Sequence, residues 1–324
     1  MNSVCKLLHI DYPIFQGGMG NISNSELAVA VSEAGGLGTI GCGTMTPGEV
    51  EKIISDTVAR TDKPFAVNIA LGVTPYVDQL IDLVIKYNVQ AISLSAGDPA
   101  AYIPILHKHN IKVIAVVASV KHAKKAEAAG ADLLVAEGFE AAGINSNLEL
   151  TTFTLIPQIV KHVTIPVLAA GGIGDGKGFA AALMLGAEGV QIGTRFIATK
   201  EAPFHDEYKK RLIEAEDTST VIIGRRFGRI RRILKNPYAS RLVDLEKKEM
   251  TLEQYGNLTS EGQHVLGALK GDMENGFINS GQVAGLINHI PSVKELLEGI
   301  IREAQEQIID SANKIASLSV KSST

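Results

Sequence analysis

The sequence predicts an α/β fold, a closed (β/α)8 TIM barrel with a small helical subdomain inserted near its end. Two observations favour this fold. Eight short apolar runs recur along residues 12–196, and each of the first seven is followed by a segment whose apolar residues are spaced three and four apart. Strands that alternate with helices are expected to pair in parallel. Eight such units within about 200 residues fit a closed barrel better than an open doubly wound sheet.

The eight runs are rich in β-forming residues and end in loops of small residues. In chain order they are "YPIFQGGM", "LGTIGCG", "PFAVNIAL", "AISLSAG", "KVIAVVAS", "DLLVAEG", "IPVLAAGG" and "GVQIGTRF". The seven segments between them have helical spacing, and several end in a glycine that is typical of a helix cap. They are "SELAVAVSEAGG", "EVEKIISDTVAR", "YVDQLIDLVIKYN", "AYIPILHKHN", "KHAKKAEAAGA", "TFTLIPQIVKHV" and "GFAAALMLGAEG".

The repeating pattern ends after Phe196. We predict that "FHDEYKKRLIEAED" is the eighth helix and that residues 221–280, which are more polar and lack a strand pattern, form the inserted helical subdomain. The barrel then comprises residues 1–220 and 281–324. Its last part, the amphipathic "SVKELLEGIIREAQEQIIDSANKI", is expected to pack back on the barrel.

The composition excludes several classes of protein. A net charge of −4 gives no general attraction to nucleic acid, and no apolar run approaches the roughly 20 residues that a membrane helix needs. The first residues lack the apolar run of a signal peptide, and two cysteines are too few for a disulfide framework. We therefore expect a cytoplasmic protein. The chain shows no Cys, His or Asp spacing typical of a metal site.

The loops after the predicted strands are rich in glycine, which indicates that a ligand is approached closely by the backbone. In a barrel these loops share the face that carries the active site. The strongest local signal is "LAAGGIGDGKGFAAALMLGAEGVQIGTRF", where Gly171, Gly172 and Thr194 follow the last two strands. Barrels often bind a phosphate there through backbone N–H groups. A phosphate site alone is compatible with sugar-phosphate isomerases, indole-type synthases or flavin enzymes.

Six motifs in order narrow this choice: "YPIFQGGMG", "EAGGLGTIGCG", "DKPFAVNI", "AEGFEAAG", "VLAAGGIGDGKG" and "EGVQIGTRF". With them, the chain resembles the superfamily of FMN-dependent enoyl-acyl-carrier-protein reductase II and nitronate monooxygenase over essentially its whole length. The resemblance implies that FMN is the cofactor and that NADH or NADPH is the co-substrate. It also implies the cofactor-binding residues: Gly17, Gly18 and Met19 along the flavin ring, Asn68 at its pyrimidine edge, Glu137 near the ribityl chain or ring, Ala170, Gly171, Gly172, Gly193 and Thr194 at the phosphate, and Gln282 closing over the ring.

The function that this resemblance implies is an NAD(P)H oxidoreductase, most similar to enoyl-acyl-carrier-protein reductase II, acting on an activated double bond or a quinone-like acceptor. Nitronate monooxygenase is the alternative within the family. A flavin-binding protein or sensor without turnover and a flavin-free sugar-phosphate barrel enzyme are alternatives of other classes. The expected partners are a small-molecule or acyl-thioester substrate and an acyl carrier protein, and a homodimer is left open.

One position departs from the family pattern. Members usually read "EAGGH" where this chain reads "EAAGI", so Ile144 stands where the resemblance places a catalytic histidine. Isoleucine has no proton to donate or accept, and the neighbours Asn145 and Ser146 are the substitutes that the sequence offers. A histidine from elsewhere in the chain is the alternative. We expect Ile144 to form an apolar wall of the substrate pocket.

A basic cluster within residues 225–235, "RRFGRIRRILK", is the remaining signal. Such a cluster is suited to an acidic carrier protein or to the phosphate of a nicotinamide cofactor. The interpretation that we favour is a solvated helix face, or pairing within the chain with the nearby "EKKE" segment.

Overall fold

The computed structural model describes residues 2–248 and 250–318. Eight parallel strands form one sheet in the spatial order β1, β9, β8, β6, β5, β4, β3, β2. They are β1 (Ile14–Gln16), β2 (Gly38–Gly41), β3 (Phe65–Ala70), β4 (Ala91–Ser95), β5 (Lys112–Val117), β6 (Leu133–Glu137), β8 (Val167–Ala170) and β9 (Gly189–Ile192). A parallel bridge between Phe15 and Leu37 joins the two outer strands and closes the barrel. The eight predicted strands and the predicted fold class are confirmed.

The barrel has two apolar layers. Inward-facing side chains such as Phe15, Ile114, Leu133 and Leu168 fill the barrel together with the short N-terminal helix α1 (Ser3–Leu8). A second and larger cluster lies between the strands and the helices that surround them. These helices are α2 (Ser25–Glu33), α3 (Pro47–Arg60), α4 (Val77–Lys86), α5 (Ile103–Lys108), α6 (Val120–Ala128), α7 (Thr152–Val160), α8 (Gly176–Met184), α9 (Thr194–Ile197) and α10 (Asp206–Ile213).

The C-terminal helix α14 (Val293–Ala316) returns to the barrel, as its amphipathic pattern predicted. It packs across the start of α8, where the backbone N–H of Gly176 donates a hydrogen bond of 2.7 Å to the Glu303 carboxylate. A Cβ on Gly176 would lie 2.5 Å from Glu303 Cβ and 2.6 Å from the Ala304 nitrogen, so the two helices approach as closely as a glycine permits.

The block inserted between α10 and α14 corrects one prediction, because it contains strands as well as helices. Strands β10 (Thr220–Ile223) and β11 (Arg231–Leu234) form an antiparallel hairpin, and β11 also pairs with β7 (Gly143–Ile144) from the loop after β6. Helices α11 (Pro237–Glu246), α12 (Leu252–Leu258) and α13 (Glu261–Lys270) follow. The hairpin escaped prediction because its strands have four residues each and β11 carries two arginines. The domain boundaries at residues 220 and 281 stay a prediction.

Within the part of the chain that the structure describes, no helix combines the length and the apolar content that a membrane crossing requires. Cys42 has no exposed surface, and burial raises the pKa of its thiol to about 12, which suits an unreactive packing residue.

We predict that two glycine-to-alanine substitutions change stability in opposite directions. Gly176→Ala forces a methyl group into the contact between α8 and α14 and should lower the free energy of unfolding by about 1–3 kcal/mol. Gly299→Ala, inside α14, meets no atom within 4 Å of its new Cβ and should raise the free energy by about 0.5–1 kcal/mol. Urea unfolding measures both, and equal effects of the two variants would contradict the close approach at Gly176.

Candidate active site at the mouth of the barrel

A cavity of about 670 Å³ opens at the carboxyl ends of the barrel strands. Its wall contains residues from loops that follow at least six strands, as expected for an active site of this fold. The structure brings almost all of the sequence-predicted residues to this one cavity: Gly17, Gly18, Met19, Asn68, Glu137, Ile144, Asn145, Ser146, Ala170, Gly171, Gly172, Gly193 and Thr194.

The loop after β1 lies directly against Asn68 of β3. A Cβ on Gly18 would be 2.6 Å from Asn68 Oδ1, so only a glycine admits this contact. The Asn68 amide nitrogen donates to the Ser93 carbonyl at 3.1 Å and lies within 3.3 Å of the Ser95 hydroxyl. The nitrogen is therefore occupied, and Oδ1 is the atom of this side chain that is left to accept a hydrogen bond from a ligand.

The ends of β8 and β9 present free backbone donors. The N–H groups of Gly171, Gly172, Gly193 and Thr194 donate no hydrogen bond to another described residue. Gly171 and Gly172 have φ of 96° and 73°, a region that glycine adopts without strain. The Thr194 hydroxyl accepts from the Gly281 N–H at 2.9 Å, which fixes the returning segment against this loop. Such a group of free N–H donors is suited to bind the oxygens of a phosphate.

Glu137 is a carboxyl group at this site whose pKa is raised by burial. It ends β6 and lines the cavity, and burial raises the pKa of its carboxyl group from 4.5 to about 7. At neutral pH this carboxyl group therefore exists in both protonation states, so it is able to hold or release a proton inside the cavity.

The three positions around the missing histidine differ in their surroundings. Ile144 lines the cavity with half of its surface exposed, as the expected apolar wall. The Asn145 amide nitrogen donates to the carbonyls of Ala141 and Gly143, at 3.0 and 3.2 Å, and so holds the loop instead of facing a ligand. The Ser146 hydroxyl accepts from the Leu148 N–H at 3.2 Å. Two histidines, His122 and His264, do line the cavity.

Gln282 is the exception among the predicted residues. It begins a 3₁₀ turn (Gln282–Leu286), its side chain is exposed, and it does not line the cavity. Its backbone N–H donates to the Glu140 carbonyl at 3.0 Å, and this bond holds the segment so that Gly281 and Val283 face the cavity instead. In this structure the Gln282 side chain does not line the cavity, and its assignment as a residue that closes over the ring stays a prediction.

Sequence reasoning missed a polar cluster that the inserted block brings to the cavity. It consists of Arg231 on β11, Glu261 and His264 on α13, and Asn279 in the segment after α13. Arg231 donates to Glu261 at 2.8 Å, Glu261 lies 3.4 Å from His264 Nδ1, and His264 Nε2 lies 3.2 Å from the Asn279 amide nitrogen. The i,i+3 spacing of Glu261 and His264 on a helix is the only local signal of this cluster in the sequence.

The basic cluster of residues 225–235 is mostly engaged within the chain. Arg225 makes two hydrogen bonds to Glu149, at 2.8 and 3.1 Å, and Arg232 donates twice to the Phe139 carbonyl. Among the described residues of the "EKKE" segment, Lys248 accepts a hydrogen bond at its carbonyl from Arg226. The arginines thus pair within the chain, but most of their partners come from the loop after β6 and from α13 and not from the expected "EKKE" segment.

The fold and the cavity define a (β/α)8 barrel in which free backbone N–H donors follow the last two strands. The sequence model of the family described as nitronate monooxygenase matches residues 2–79 and 66–303. The chain belongs to this family of oxidoreductases.

Its relatives carry several activities in their names. The structure of FabK from Thermotoga maritima has a TM-score of 0.92 and 41% identity, and the match covers 97% of this chain and 99% of that one. A probable nitronate monooxygenase of Staphylococcus saprophyticus is 32% identical over 94% of this chain and 97% of its own. A (3aS,4S,5R,7aS)-5-hydroxy-7a-methyl-1-oxo-octahydro-1H-indene-4-carboxyl-CoA dehydrogenase of Mycobacterium tuberculosis is 32% identical, with coverage of 92% and 94%.

We predict that Glu137→Gln changes the pH dependence of stability. A carboxyl group whose pKa is raised by folding stabilises the fold below about pH 4.5, and this stabilisation is lost as the pH rises through about 7. The loss amounts to at most about 3 kcal/mol, because each pKa unit corresponds to about 1.4 kcal/mol. In flavin-free protein, the variant should therefore become more stable relative to the wild type at pH 8 than at pH 5.

Urea unfolding at the two pH values measures this difference. Glu306→Gln, on an exposed part of α14, is the matched control and should show no such change. A difference between Glu137→Gln and wild type that is the same at pH 5 and pH 8 would contradict the raised pKa.

Proposed function

We propose that this protein is an FMN-dependent NAD(P)H oxidoreductase, most like enoyl-acyl-carrier-protein reductase II, that reduces an activated double bond or a quinone-like acceptor. The observation that carries this proposal is the continuous cavity from the free N–H donors after β8 and β9 to the glycine loop at Asn68. The likeness to FabK, an enoyl-acyl-carrier-protein reductase II, over 97% of the chain supports it.

The residues at the cavity fit FMN at both ends. At one end, a Cβ on Gly193 would meet no protein atom within 4 Å, so the glycine leaves open space beside the free donors for a phosphate. At the other end, Gly18 and Asn68 make a flat and tightly packed surface with a free acceptor, Asn68 Oδ1. When bound, FMN would supply the hydride transfer, and the protein orients the reactants and excludes competing reactions. We propose that NADH or NADPH and the acceptor use this cavity in turn.

The wall at Ile144 supports an acceptor with an apolar body. Its side chain offers surface for an acyl or alkyl chain or a quinone, and no group that transfers a proton. An acyl thioester as substrate is supported by the coenzyme A compound in the name of the mycobacterial dehydrogenase. The arginines of residues 225–235 give little support to docking of an acyl carrier protein, because most of them are engaged within the chain. A homodimer stays a prediction.

Nitronate monooxygenase is the second candidate, because the family and a relative from Staphylococcus carry this name. Against it stands Ile144. A nitronate is an anion that has already lost a carbon-bound proton, and Ile144, unlike a histidine, has no group that hydrogen-bonds this anion or exchanges a proton with it. General acid–base assistance of this kind typically accelerates a reaction by about 10²–10⁴-fold.

We predict that Gly193→Ala weakens FMN binding without a large change in stability. The new methyl group points into open space within the protein, so it should collide only with the bound phosphate and raise the dissociation constant of FMN about tenfold or more. Quenching of FMN fluorescence on titration with flavin-free protein measures the constant. Gly48→Ala, which also meets no atom within 4 Å but lies outside the cavity, should bind FMN like the wild type. An unchanged dissociation constant of FMN in Gly193→Ala would show that the phosphate does not bind at this loop.

We predict that NADH or NADPH reduces the bound flavin under anaerobic conditions, and that the reduced protein then reduces enoyl thioesters or quinones. The wild type should be a poor nitronate monooxygenase. Ile144→His should raise the rates with nitronates or enoyl thioesters, relative to quinones, by about tenfold or more, since it restores a proton-transferring group. Stopped-flow spectroscopy of the flavin with each acceptor measures these rates, and Ile144→Leu is the control. Fast nitronate turnover by the wild type, or unchanged relative rates in Ile144→His, would show that this position does not decide the chemistry.

A further inference from the structure

The polar cluster of Arg231, Glu261, His264 and Asn279 lies along one side of the cavity, next to the apolar Ile144. Arg231 and Ile144 are paired neighbours in the antiparallel register of β11 and β7. Arg231 is only 7% exposed and His264 only 2% exposed, although both are polar and both line the cavity. The cluster is therefore built into the wall of the cavity and is not part of the solvated surface.

The ionisation of Glu261 fixes the direction of the hydrogen bonds in the cluster. Burial would raise the pKa of Glu261, but the hydrogen bond from His264 and the charge of Arg231 outweigh burial and lower the pKa to about 2. Burial also lowers the pKa of His264, so its ring is neutral. A neutral ring that donates from Nδ1 to the anionic Glu261 has an unprotonated Nε2. The Asn279 amide nitrogen lies 3.2 Å from Nε2 and 3.4 Å from Nδ1 of this ring, so Asn279 Oδ1 is the atom of that side chain without a partner among the described residues.

Two atoms of this cluster are buried without a hydrogen-bond partner in the part of the chain that the structure describes. They are Arg231 Nη1, a donor, and Asn279 Oδ1, an acceptor. Buried polar atoms in native proteins nearly always have a partner, so each such atom requires an explanation. Gln263 Oε1 and Arg195 Nη2 are also unpaired, but their residues do not line the cavity. Among these four residues, Arg231 and Asn279 are the two that line the cavity.

The unpaired donor Arg231 Nη1 and the unpaired acceptor Asn279 Oδ1 together favour a neutral ligand group that both accepts and donates a hydrogen bond. The charge of Arg231 is already balanced by Glu261 at 2.8 Å, so an anion gains little there. Nitronates and carboxylates offer only acceptors and would place negative charge beside Asn279 Oδ1. A thioester carbonyl satisfies Arg231 alone. A primary carboxamide satisfies both atoms, because its oxygen accepts from Arg231 Nη1 and its NH₂ group donates to Asn279 Oδ1.

We propose that Arg231 and Asn279 form the subsite that binds the carboxamide of the nicotinamide ring of NADH or NADPH. This inference rests on the proposed use of a nicotinamide co-substrate. Glu261 and His264 are positioning residues, since they orient the guanidinium and the amide without contacting the ligand. Asn279 is further held by the Tyr208 hydroxyl, which donates to its backbone carbonyl, and by an antiparallel bridge to Ile233 of β11.

The test compares two nucleotides that differ only at this group. In 3-acetylpyridine adenine dinucleotide a methyl group replaces the carboxamide NH₂, so the carbonyl acceptor stays and the donor is lost. We measure the dissociation constants of the oxidised carboxamide and acetyl nucleotides with the FMN-loaded protein by calorimetry, using the phosphorylated pair if NADPH is the better reductant. The wild type should bind the carboxamide form about threefold to tenfold more tightly, the usual effect of one hydrogen bond.

Variants test whether Asn279 causes the preference for the carboxamide nucleotide over the acetyl nucleotide. Asn279→Leu removes the acceptor and should reduce the ratio of the two dissociation constants to about one, whereas Asn288→Leu, outside the cavity, should keep it. Arg231→Lys keeps the charge beside Glu261 but removes Nη1. It should therefore raise the dissociation constants of both nucleotides by the same factor. Thermal unfolding of each variant checks that it is folded.

The outcomes separate the inference from the proposed function. If neither nucleotide binds and neither NADH nor NADPH reduces the flavin, the proposed function fails. If reduction occurs but the wild type binds both nucleotides equally, or folded Asn279→Leu keeps the full preference, the carboxamide subsite is overturned. A loss of FMN affinity in Asn279→Leu with an unchanged nucleotide ratio would assign Oδ1 to the flavin, and would also overturn it.

Discussion

The pairing of β11 with β7 is the contact on which the organisation of the site depends. After β6 the chain leaves the barrel and forms the two-residue strand β7. This strand pairs with β11 of the hairpin in the inserted block, with Arg231 opposite Ile144 and Arg232 opposite Gly143. The Asn145 N–H extends this ladder to the Ile230 carbonyl at 3.0 Å. Because one backbone register fixes both segments, an apolar side chain from a barrel loop and a polar cluster from a distant part of the chain meet at one cavity.

The polar cluster is not explained by stability. A buried ion pair recovers little more than the cost of removing both charges from water, and apolar residues of similar size often stabilise a protein as well or better. Here Arg231 and His264 both pack on the ring of Phe277, with 5.0 Å from the guanidinium carbon and 5.4 Å from the imidazole to the ring centre. The retention of four polar side chains with two unpaired atoms therefore points to recognition of a ligand.

Much of the barrel and of the glycine turn after β8 could be predicted from the sequence, because local patterns carry that information. The strands show apolar runs, the helices show spacing of three and four, and Gly171 and Gly172 report a turn with positive φ. Hairpin β10–β11 was missed because buried arginines in β11 resemble a solvated surface. Gln282 was assigned to the cavity although its neighbours Gly281 and Val283 face it, because sequence places a segment but not the direction of each side chain.

The polar cluster was beyond sequence reasoning for a different reason. Arg231, Glu261 and Asn279 belong to a strand, a helix and a loop that lie far apart in the chain, and no local pattern relates them. Their proximity results from the tertiary fold alone, through the packing of α13 and its following segment on β11.

The distribution of charge around the cavity favours one orientation of a bound ligand. Among the charged side chains that line it, Asp98 pairs with Lys125 at 2.7 Å, Arg231 pairs with Glu261, and Glu140 accepts from the Thr152 N–H and hydroxyl. Burial keeps Glu137 partly neutral, because it raises the pKa of that carboxyl group to about 7. The side chains thus offer little uncompensated positive charge to an anion. Free donors for a phosphate are concentrated in the backbone N–H groups after β8 and β9. A planar ligand with one phosphate is therefore favoured with the phosphate at that end, and its neutral ring then extends toward Asn68, with Ile144 and the polar cluster beside it.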